Sequence, residues 1–228
     1  MITMQILYQD AEILVIDKPA GILSIADGYK KDLPHLRTLL EPEFGRLWIV
    51  HRLDKETSGV MLLARTVEAH KTLCEQFTIH SIQKEYIALV CGSSPQNFVE
   101  NTPLKIDGDR KHRTVVDNQK GKPAFTGFQT LENFRNGVSF VAAKPKTGFT
   151  HQIRCHLLHA GYPILGDQLY STPESINLAM TLGIERLALH AREITFFLPN
   201  SHQLVTFKAP IPQDLLDIIQ IINKEEHQ

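Results

Sequence analysis

Hydrophobic residues along this chain occur mostly in short runs or in alternation with polar residues, and both patterns are typical of β-strands. The runs end at glycine, proline or asparagine, which favour turns, and Asn136-Gly137 is a strong hairpin signal. The polar residues 24–35 predict a mobile loop. Strands are predicted at residues 12–17, 47–50, 59–64, 84–90, 187–198 and 204–208, with further strands between residues 114 and 144.

Three segments have the longer period of an amphipathic helix. Thr66 can cap the first, which extends to about residue 80, and the second starts near residue 150 and ends at Gly161. Asp214 can cap the third, whose apolar residues form one stripe. Strands interspersed with isolated helices indicate the α+β class, with a mixed, largely antiparallel β-sheet core and flanking helices.

Length and composition narrow the class of protein. With 228 residues, 43% of them hydrophobic, the chain can bury the core of one large domain or of two small ones. Its apolar runs are shorter than the roughly 20 residues that cross a bilayer, and its N-terminus lacks the features of a signal peptide. The three cysteines are widely spaced and odd in number, which favours a reducing compartment. We therefore expect a cytoplasmic protein without a membrane partner.

Charge by itself does not indicate a nucleic-acid partner, because the formal net charge is −1. The distribution is uneven, however, and basic residues gather between residues 105 and 122, where three aspartates dilute them. A solvated loop is the simplest interpretation of this segment, and a surface that follows an RNA backbone is the other. The basic residues considered for such a backbone contact are Lys105, Arg110, Lys111, Arg113 and Lys122.

The segment 51–59, His-Arg-Leu-Asp-Lys-Glu-Thr-Ser-Gly, concentrates polar groups between two predicted strands. Such a loop exposes charge at the edge of a sheet, where ligands often bind. Cations next to Asp54 favour the ionised form of its carboxyl group. The residues alone leave two interpretations open, a binding site and a surface loop of salt bridges.

Several motifs in order along the chain resemble those of the RluA-type pseudouridine synthases. The segment 51–59 is similar to the family's HRLD-x-x-TSG motif, and residues 17–21 to its opening motif. Lys84-Glu85-Tyr86 resembles its K-x-Y motif, and residues 146–154 resemble its TGRTHQ(I/L)R motif. Gly121-Lys122-Pro123-Ala124 and Gly166-Asp167-x-x-Tyr170 also occur in the family's order.

The resemblance implies one catalytic domain over residues 1–228, with two subdomains around a central cleft as a further possibility. It implies a monomeric RNA pseudouridine synthase that isomerises a specific uridine in structured ribosomal or transfer RNA and needs no cofactor or metal. Asp54 would be the catalytic carboxylate, either attacking the sugar or removing a sugar proton. Tyr86 would pack on the uracil, and Arg154 would hold Asp54 ionised and oriented. The residues that match the substrate-binding motifs are His51, Arg52, Leu53, Lys55, Thr57, Lys18, His151, Gln152 and Ile153.

Substrate access requires that the target base leave the RNA stack. Arg52, planar and cationic, is the residue expected to fill the gap, with His51 and Lys55 along the phosphate path. Phe149 stands where the family usually has arginine, which affects one expected phosphate contact. Many relatives begin with a small S4-type RNA-binding domain, whereas this chain begins at the first strand of the catalytic domain, so we expect that domain to bind RNA alone.

Three alternatives remain at this level. Cys155 and His159 lie four residues apart on a predicted helix and could hold a metal, but no HExxH or CxxC motif completes a site and Arg154 would repel a cation. The protein could bind RNA without catalysis. It could also be a hydrolase that releases the free base, for which Glu56 is the nearby candidate for the second acid.

Overall fold

The computed structural model describes residues 4–28, 30 and 32–226. The strands are β1 (Gln5–Gln9), β2 (Ile13–Lys18), β3 (Trp48–Ile49), β4 (Ser58–Ala64), β5 (Gln83–Cys91), β6 (Asn97–Glu100), β7 (Leu104–Lys105), β8 (Val115–Val116), β9 (Thr126–Asn133), β10 (Val138–Pro145), β11 (Leu189–Phe197) and β12 (Leu204–Lys208). The helices are α1 (Leu36–Phe44), α2 (Val67–Thr78), α3 (Gln152–His159), α4 (Pro173–Thr181) and α5 (Gln213–Glu226).

The chain divides into two compact units. The first unit comprises Met1–Lys84 and Ala191–Pro210, and the second comprises Glu85–His190 and Ile211–Gln228. The chain therefore crosses between the units inside β5, inside β11 and again after β12.

The first unit is built on β2 and β4, which pair antiparallel with Ile13 opposite Ala64 and Lys18 opposite Gly59. All of β4 is buried, and in β2 only Asp17 is partly exposed. β1 pairs antiparallel with β2, and β3 pairs antiparallel with β4. Continuous apolar runs predict strands that are buried on both faces. The strands expected at residues 12–17 and 59–64 are present.

Helix α2 begins where the sequence predicts, because the Thr66 side chain accepts a hydrogen bond from Ala69 N at 3.1 Å. Ala69 and Leu73 turn inward, as the apolar period requires. Gln76 is also buried. Its Nε2 donates to Phe197 O at 2.8 Å, and its Oε1 accepts from Phe197 N at 3.0 Å. The amide thus joins α2 to β11 and satisfies two backbone groups.

Helix α1 is absent from the sequence-based prediction. It follows His35, which is not a preferred capping residue, and contains Pro42, which lacks an N–H group. The start of the predicted mobile loop is anchored, because Ser24 is buried and Leu23 pairs with His35. Residues 29 and 31 of that loop lie outside the described residues.

In the second unit β10 pairs antiparallel with both β5 and β9, and β6 pairs antiparallel with β9. The predicted turn at Asn136-Gly137 joins β9 to β10. There Phe134 N donates to Val138 O at 2.8 Å, and Gly137 has a φ of 78°, which glycine adopts without strain. The apolar core lies under these strands and includes Leu89, Val90, Val141, Leu157 and Leu187.

Three helices cover this core. α3 is shorter than predicted and starts after His151, whose φ of 56° lies in the left-handed region. α5 buries Leu215, Ile218 and Ile222, which is the predicted apolar stripe. α4 was not expected, although Thr172 followed by a proline is a good helix start and its side chain accepts from Ser175 N at 3.2 Å.

The expected α+β class is confirmed, and the strand pairs described above are all antiparallel. Among the described residues, no helix is both long and apolar enough to cross a membrane. The cytoplasmic location and the organisation as one catalytic domain stay predictions.

Candidate active site

Asp54 lies in a tight turn of the first unit. Thr57 N donates to Asp54 O at 3.1 Å, which places Lys55 and Glu56 at the two central, solvent-exposed positions. Asp54 itself is half-buried, and Arg52 is exposed. The motif thus presents its carboxylate from a hydrogen-bonded turn that ends directly in β4.

The backbone on both sides of Asp54 is fixed by hydrogen bonds. On one side Ser24 Oγ donates to Leu53 O at 2.6 Å and accepts from Leu53 N at 3.1 Å. On the other side Lys55 O accepts from Lys18 Nζ at 3.1 Å and from Gly21 N at 2.8 Å. These contacts hold the turn from two separate points of the chain.

Lys18 is fully buried. Its ammonium group also donates to Pro19 O and Ile22 O, each at 2.9 Å, so three backbone carbonyls surround the charge. Such contacts offset the cost of burying an ammonium group. Lys18 therefore supports the Asp54 turn from the interior.

Gly59, at the end of the motif, allows a close approach of backbone. Its φ is 116°, and a Cβ atom there would lie 2.2 Å from Ala191 O. A larger residue would have to displace the backbone of β11. The glycine of the motif is thus explained by packing inside the first unit.

His51, the first residue of the motif, uses its ring internally. Its Nε2 accepts from Leu62 N at 3.0 Å, and its ring stacks on Phe77 with centroids 4.9 Å apart. Burial, assisted by the nearby charge of Lys84, lowers the pKa of His51 to about 3. The imidazole is therefore neutral at physiological pH.

Asp17 lies beside this support. Burial raises the pKa of Asp17 to about 6, and the adjacent Lys18 charge lowers it only in part. The opening motif therefore combines a buried cation that holds the turn with a carboxyl group that gains a proton readily.

The remaining predicted residues belong to the second unit. Tyr86 is half-buried on β5, opposite Ala143 of β10, and packs against the apolar core. Ile153 is a core residue of α3. Phe149 packs on a small apolar cluster formed by Leu104, Ala124, Cys155 and Tyr170. At this position an apolar ring takes part in packing where the family usually has a cation.

Gln152 uses the hydrogen-bonding capacity of its side-chain amide within the protein. Its Oε1 accepts from Thr147 Oγ at 2.8 Å and from Phe149 N at 3.1 Å. Its Nε2 donates to Phe125 O and to Thr126 Oγ, both at 3.0 Å. Two acceptor and two donor contacts account for all four sites of an amide. Gln152 thus shapes the loop that precedes α3.

Arg154 forms a buried bidentate pair with Asp167. Arg154 Nε lies 2.7 Å from Asp167 Oδ2, and Arg154 Nη2 lies 2.8 Å from Asp167 Oδ1, with side-chain exposures of 8% and 0%. The Asp167 carboxylate also accepts from Leu169 N and Tyr170 N. Burial raises the pKa of Asp167, but the hydrogen bonds and the Arg154 charge outweigh it and leave the pKa below its usual value.

Tyr170 connects Arg154 to the basic segment. The Tyr170 ring lies under the Arg154 guanidinium, 4.9 Å from centroid to Cζ. Its hydroxyl accepts from Thr114 N at 2.8 Å and lies 3.1 Å from His151 Nδ1. Arg113 lies near the same ring and bonds to Asp109 Oδ2 at 2.7 Å and Leu169 O at 2.8 Å. Arg113 is therefore held by the protein, whereas Arg110, Lys111 and Lys122 are exposed.

The polar residues of α3 that suggested a metal are engaged elsewhere. His156 Nδ1 lies 2.8 Å from Thr126 Oγ, and its Nε2 lies 3.2 Å from Thr102 O. His159 Nδ1 lies 3.1 Å from Glu100 Oε2. Burial raises the pKa of Cys155 to about 11, which disfavours the thiolate that binds metals. Within the described part of the chain, no three His, Cys, Asp or Glu side chains form a group that could hold a metal ion.

The structure adds three residues to those that the sequence singled out. Ser24 lies in a segment predicted to be a mobile loop, and no pattern marks it. Asp167 and Tyr170 belong to a motif that the sequence does contain, but only their contacts with Arg154 give them a role. Asp54 belongs to the first unit, and Tyr86 and Arg154 belong to the second.

Comparisons with known proteins agree on one family. Residues 12–159 match the family described as RNA pseudouridylate synthase. The dual-specificity RNA pseudouridine synthase RluA of Salmonella typhi is 38% identical over 206 residues, which cover 90% of this chain and 92% of that protein. The ribosomal large subunit pseudouridine synthase D of Nitrosomonas europaea is 34% identical over 233 residues, which cover 99% of this chain and 67% of that protein.

Solved structures show the same fold. The human RNA pseudouridylate synthase domain containing 4 superposes with a TM-score of 0.78 at 26% identity, covering 96% of this chain and 93% of that one. The human RNA pseudouridylate synthase domain containing 1 has a TM-score of 0.76 at 24% identity, covering 97% and 95%.

Proposed function

The chain belongs to the RNA pseudouridylate synthase family and is an RNA pseudouridine synthase, an isomerase. From this premise we propose that Asp54 is the catalytic carboxylate and that the substrate is a specific uridine in structured ribosomal or transfer RNA. The observation that carries the proposal is the anchoring of the Asp54 turn by Ser24 and Lys18.

The reaction requires few groups. The N1–C1′ bond of uridine breaks, a C5–C1′ bond forms, C5 loses a proton and N1 gains one, so no atom is added and no oxidation occurs. Asp54 supplies an ionised carboxylate, which either attacks C1′ or removes a proton from the sugar. In both routes the carboxylate must be held at a fixed distance from the ribose, and a turn held by hydrogen bonds suits this requirement.

The anchoring supports this role because it acts on the two residues that flank Asp54, Leu53 and Lys55. The carbonyls of Leu53 and Lys55 both accept hydrogen bonds from groups far away in the sequence. An ordinary surface loop of salt bridges has no such support. One ion pair in this loop, Lys55 Nζ to Glu56 Oε1, is exposed and 3.7 Å long, and such pairs contribute little to stability.

On the family resemblance we also propose catalytic roles for Tyr86 and Arg154. The family resemblance assigns Tyr86 to stacking on the uracil ring and to the proton lost from C5. It assigns Arg154 to orienting Asp54. Arg52 is exposed on the segment that carries Asp54, which suits a side chain that replaces the extruded base in the RNA stack.

Several residues expected to bind substrate are better suited to holding the site in place than to contacting RNA. Lys18, His51 and Gln152 spend their polar groups on the protein itself. Leu53, Thr57 and Ile153 are buried. We propose that these six residues position the site, and that Arg52, Lys55 and His151 remain the candidates for RNA contact.

The names of relatives guide the choice of RNA. One relative is named for dual specificity toward RNA, and another is named for the large ribosomal subunit. We propose ribosomal RNA as the first substrate to test and a transfer-RNA stem-loop as the second. We also propose a cytoplasmic location, which suits such substrates. The proposed reaction needs no cofactor.

Product analysis tests the proposal and separates it from both alternatives. Purified protein is incubated with ribosomal and transfer RNA from cells that lack the gene, and the RNA is digested to nucleosides. Pseudouridine at one position supports the proposed function. An abasic site with free uracil indicates a hydrolase, and unchanged uridine with tight binding indicates a non-catalytic RNA-binding protein.

A further inference from the structure

Arg154 is held on two sides by residues that no motif-based role explains. Asp167 binds the Nε–Nη2 edge of the guanidinium, and the Tyr170 ring covers one face at 4.9 Å. An arginine side chain ends in a planar group with fixed donor directions. Contacts at one edge and one face therefore determine the plane of the group and the direction of its Nη1 end.

Asp167 is in turn held in place. Its Oδ1 accepts from Leu169 N at 2.8 Å and from Tyr170 N at 2.9 Å. Gly166 permits this turn, since a Cβ there would lie 2.0 Å from Arg186 O and its φ is 73°. The carboxylate is thus held by backbone groups as well as by the arginine.

Tyr170 is anchored through its hydroxyl. Thr114 N donates to it at 2.8 Å, and Thr114 Oγ donates to Thr150 O at 2.6 Å. Burial raises the pKa of Tyr170, so the hydroxyl keeps its proton and can donate to His151 Nδ1. The ring beneath Arg154 is therefore tied to the basic segment and to the residue that precedes α3.

We infer that Asp167 and Tyr170 form a rigid seat for the Arg154 guanidinium and act as positioning residues for the isomerisation. The inference rests on the proposed function in one respect, that Arg154 takes part in the reaction. The seat sets the direction in which the rest of the guanidinium points, at an angle that a lysine could not reproduce.

The first test compares Asp167→Asn with a matched control. Asp214 also forms a bidentate pair with an arginine of the second unit, with Asp214 Oδ1 lying 2.8 Å from Arg186 Nη2. Asp167→Asn is expected to lower kcat about 100-fold with KM changed less than about threefold, because misplacement of a catalytic group by about 1 Å has an effect of that size. Asp214→Asn should keep the parental kcat. Equal kcat for Asp167→Asn and the parent would overturn the inference.

Tyrosine substitutions test the second side of the seat. Tyr170→Phe keeps the ring and removes the hydroxyl that Thr114 N holds, and we expect kcat to fall about tenfold, the effect of one lost hydrogen bond at the strong end of the usual range. Tyr162→Phe removes the same atom from a tyrosine that packs on Phe98, and kcat should not change. An equal loss of kcat in both variants would contradict a positioning role for Tyr170.

A chemical rescue measures the seat directly. In Arg154→Ala, methylguanidinium should occupy the space between Asp167 and Tyr170, raise Tm and restore part of kcat. Adding Asp167→Asn to Arg154→Ala should raise the half-saturating concentration of methylguanidinium at least tenfold. It should not lower the kcat measured without methylguanidinium any further. The seat is refuted if the losses of kcat caused by Arg154→Ala and Asp167→Asn multiply in the double variant. It is also refuted if Asp167→Asn leaves the rescue by methylguanidinium unchanged.

These outcomes distinguish the inference from the proposed function. An inactive Arg154→Ala beside a fully active Asp167→Asn refutes the seat and leaves the proposed function standing. A fully active Arg154→Ala refutes both the role of Arg154 and the inference. Where Arg154→Ala unfolds because Asp167 is left unpaired, Arg154→Lys replaces it, and we expect it to fold and to keep kcat well below the parental value.

Discussion

Lys18 Nζ lies 3.1 Å from the carbonyl oxygen of Lys55, so a fully buried ammonium group directly supports the residue that follows Asp54. The two lysines have opposite environments, since the Lys55 side chain is exposed. Sequence resemblance assigns both to substrate binding. Their contacts separate a lysine that supports the turn from one that is exposed to solvent.

Lys18→Met tests this support. The substitution keeps the length of the apolar stem but leaves the carbonyls of Pro19, Ile22 and Lys55 without their shared donor. We expect the free energy of unfolding to fall by about 3 kcal/mol, as for loss of a buried charged donor, and kcat to fall as well. Urea denaturation and single-turnover rates measure the two effects. The control Lys71→Met alters an exposed lysine of α2 and should change neither.

His51 predicts a dependence of stability on pH. Its pKa is lowered to about 3 in the folded protein, so the unfolded chain binds an extra proton between about pH 3 and 6.5. The stabilisation by the neutral, buried His51 ring is therefore complete above about pH 6.5 and is lost as the pH falls from about 6.5 to 3. His51→Gln should flatten the dependence by at most about 1.4 kcal/mol per pH unit. Urea denaturation from pH 4.5 to 7 tests this, with His70→Gln as the control, and an unchanged slope would contradict the neutral assignment.

Asp17 should have the opposite effect on the pH dependence of stability. Its pKa is raised to about 6, so the folded protein binds the extra proton and stability decreases as the pH rises from about 4 to 6. Asp17→Asn removes that titration and should stabilise the protein above pH 6. Because the carboxyl group is only half-buried, solvent screening limits the gain to about 1 kcal/mol. The same denaturation series measures it, with the exposed Glu43→Gln as the control, and a loss of stability at pH 7 would count against this account.

Arg110 and Lys111 are two exposed residues of the basic segment with which to test RNA-backbone contact. If Arg110 and Lys111 contact phosphates, reversing both charges should reduce the salt dependence of RNA binding, by a slope of about 0.7 to 0.9 per lost contact. Filter binding across a salt series measures the slope. Lys71→Glu combined with Lys224→Glu is the control for net charge. A slope unchanged from the parent indicates a solvated loop. Arg113 is unsuitable for this test because Asp109 and Leu169 bind it.

Regular elements were predictable where a local signal coincided with packing. The Thr66 cap and the period of Ala69 and Leu73 agree with the burial of α2, and the Asn136-Gly137 turn agrees with the pairing of β9 and β10. Helix α1 was not predictable from local signals, because His35 is a poor capping residue and Pro42 opposes a helix. Tertiary packing of Leu36 and Leu40 outweighs both.

The chemistry of the site was predictable only in part. Resemblance predicts the site residues without their contacts, because the partners of Lys18 and Gln152 lie up to 37 and 27 residues away in the chain. No local pattern tells whether a polar side chain binds a distant carbonyl or a ligand. Asp167 illustrates the same limit, since its pairing with Arg154 depends on the fold that brings the turn at Gly166 to α3.

The most direct test of the catalytic role of Asp54 is the single-turnover rate of Asp54→Asn on an RNA that the parent modifies. The amide keeps the shape of the side chain and removes its charge, so the variant should fold, bind RNA and form no pseudouridine. Glu56→Gln, which changes the other acid of the same turn, should keep the parental rate. Pseudouridine formed at a measurable rate by pure Asp54→Asn, or its loss in folded Glu56→Gln, would contradict the account.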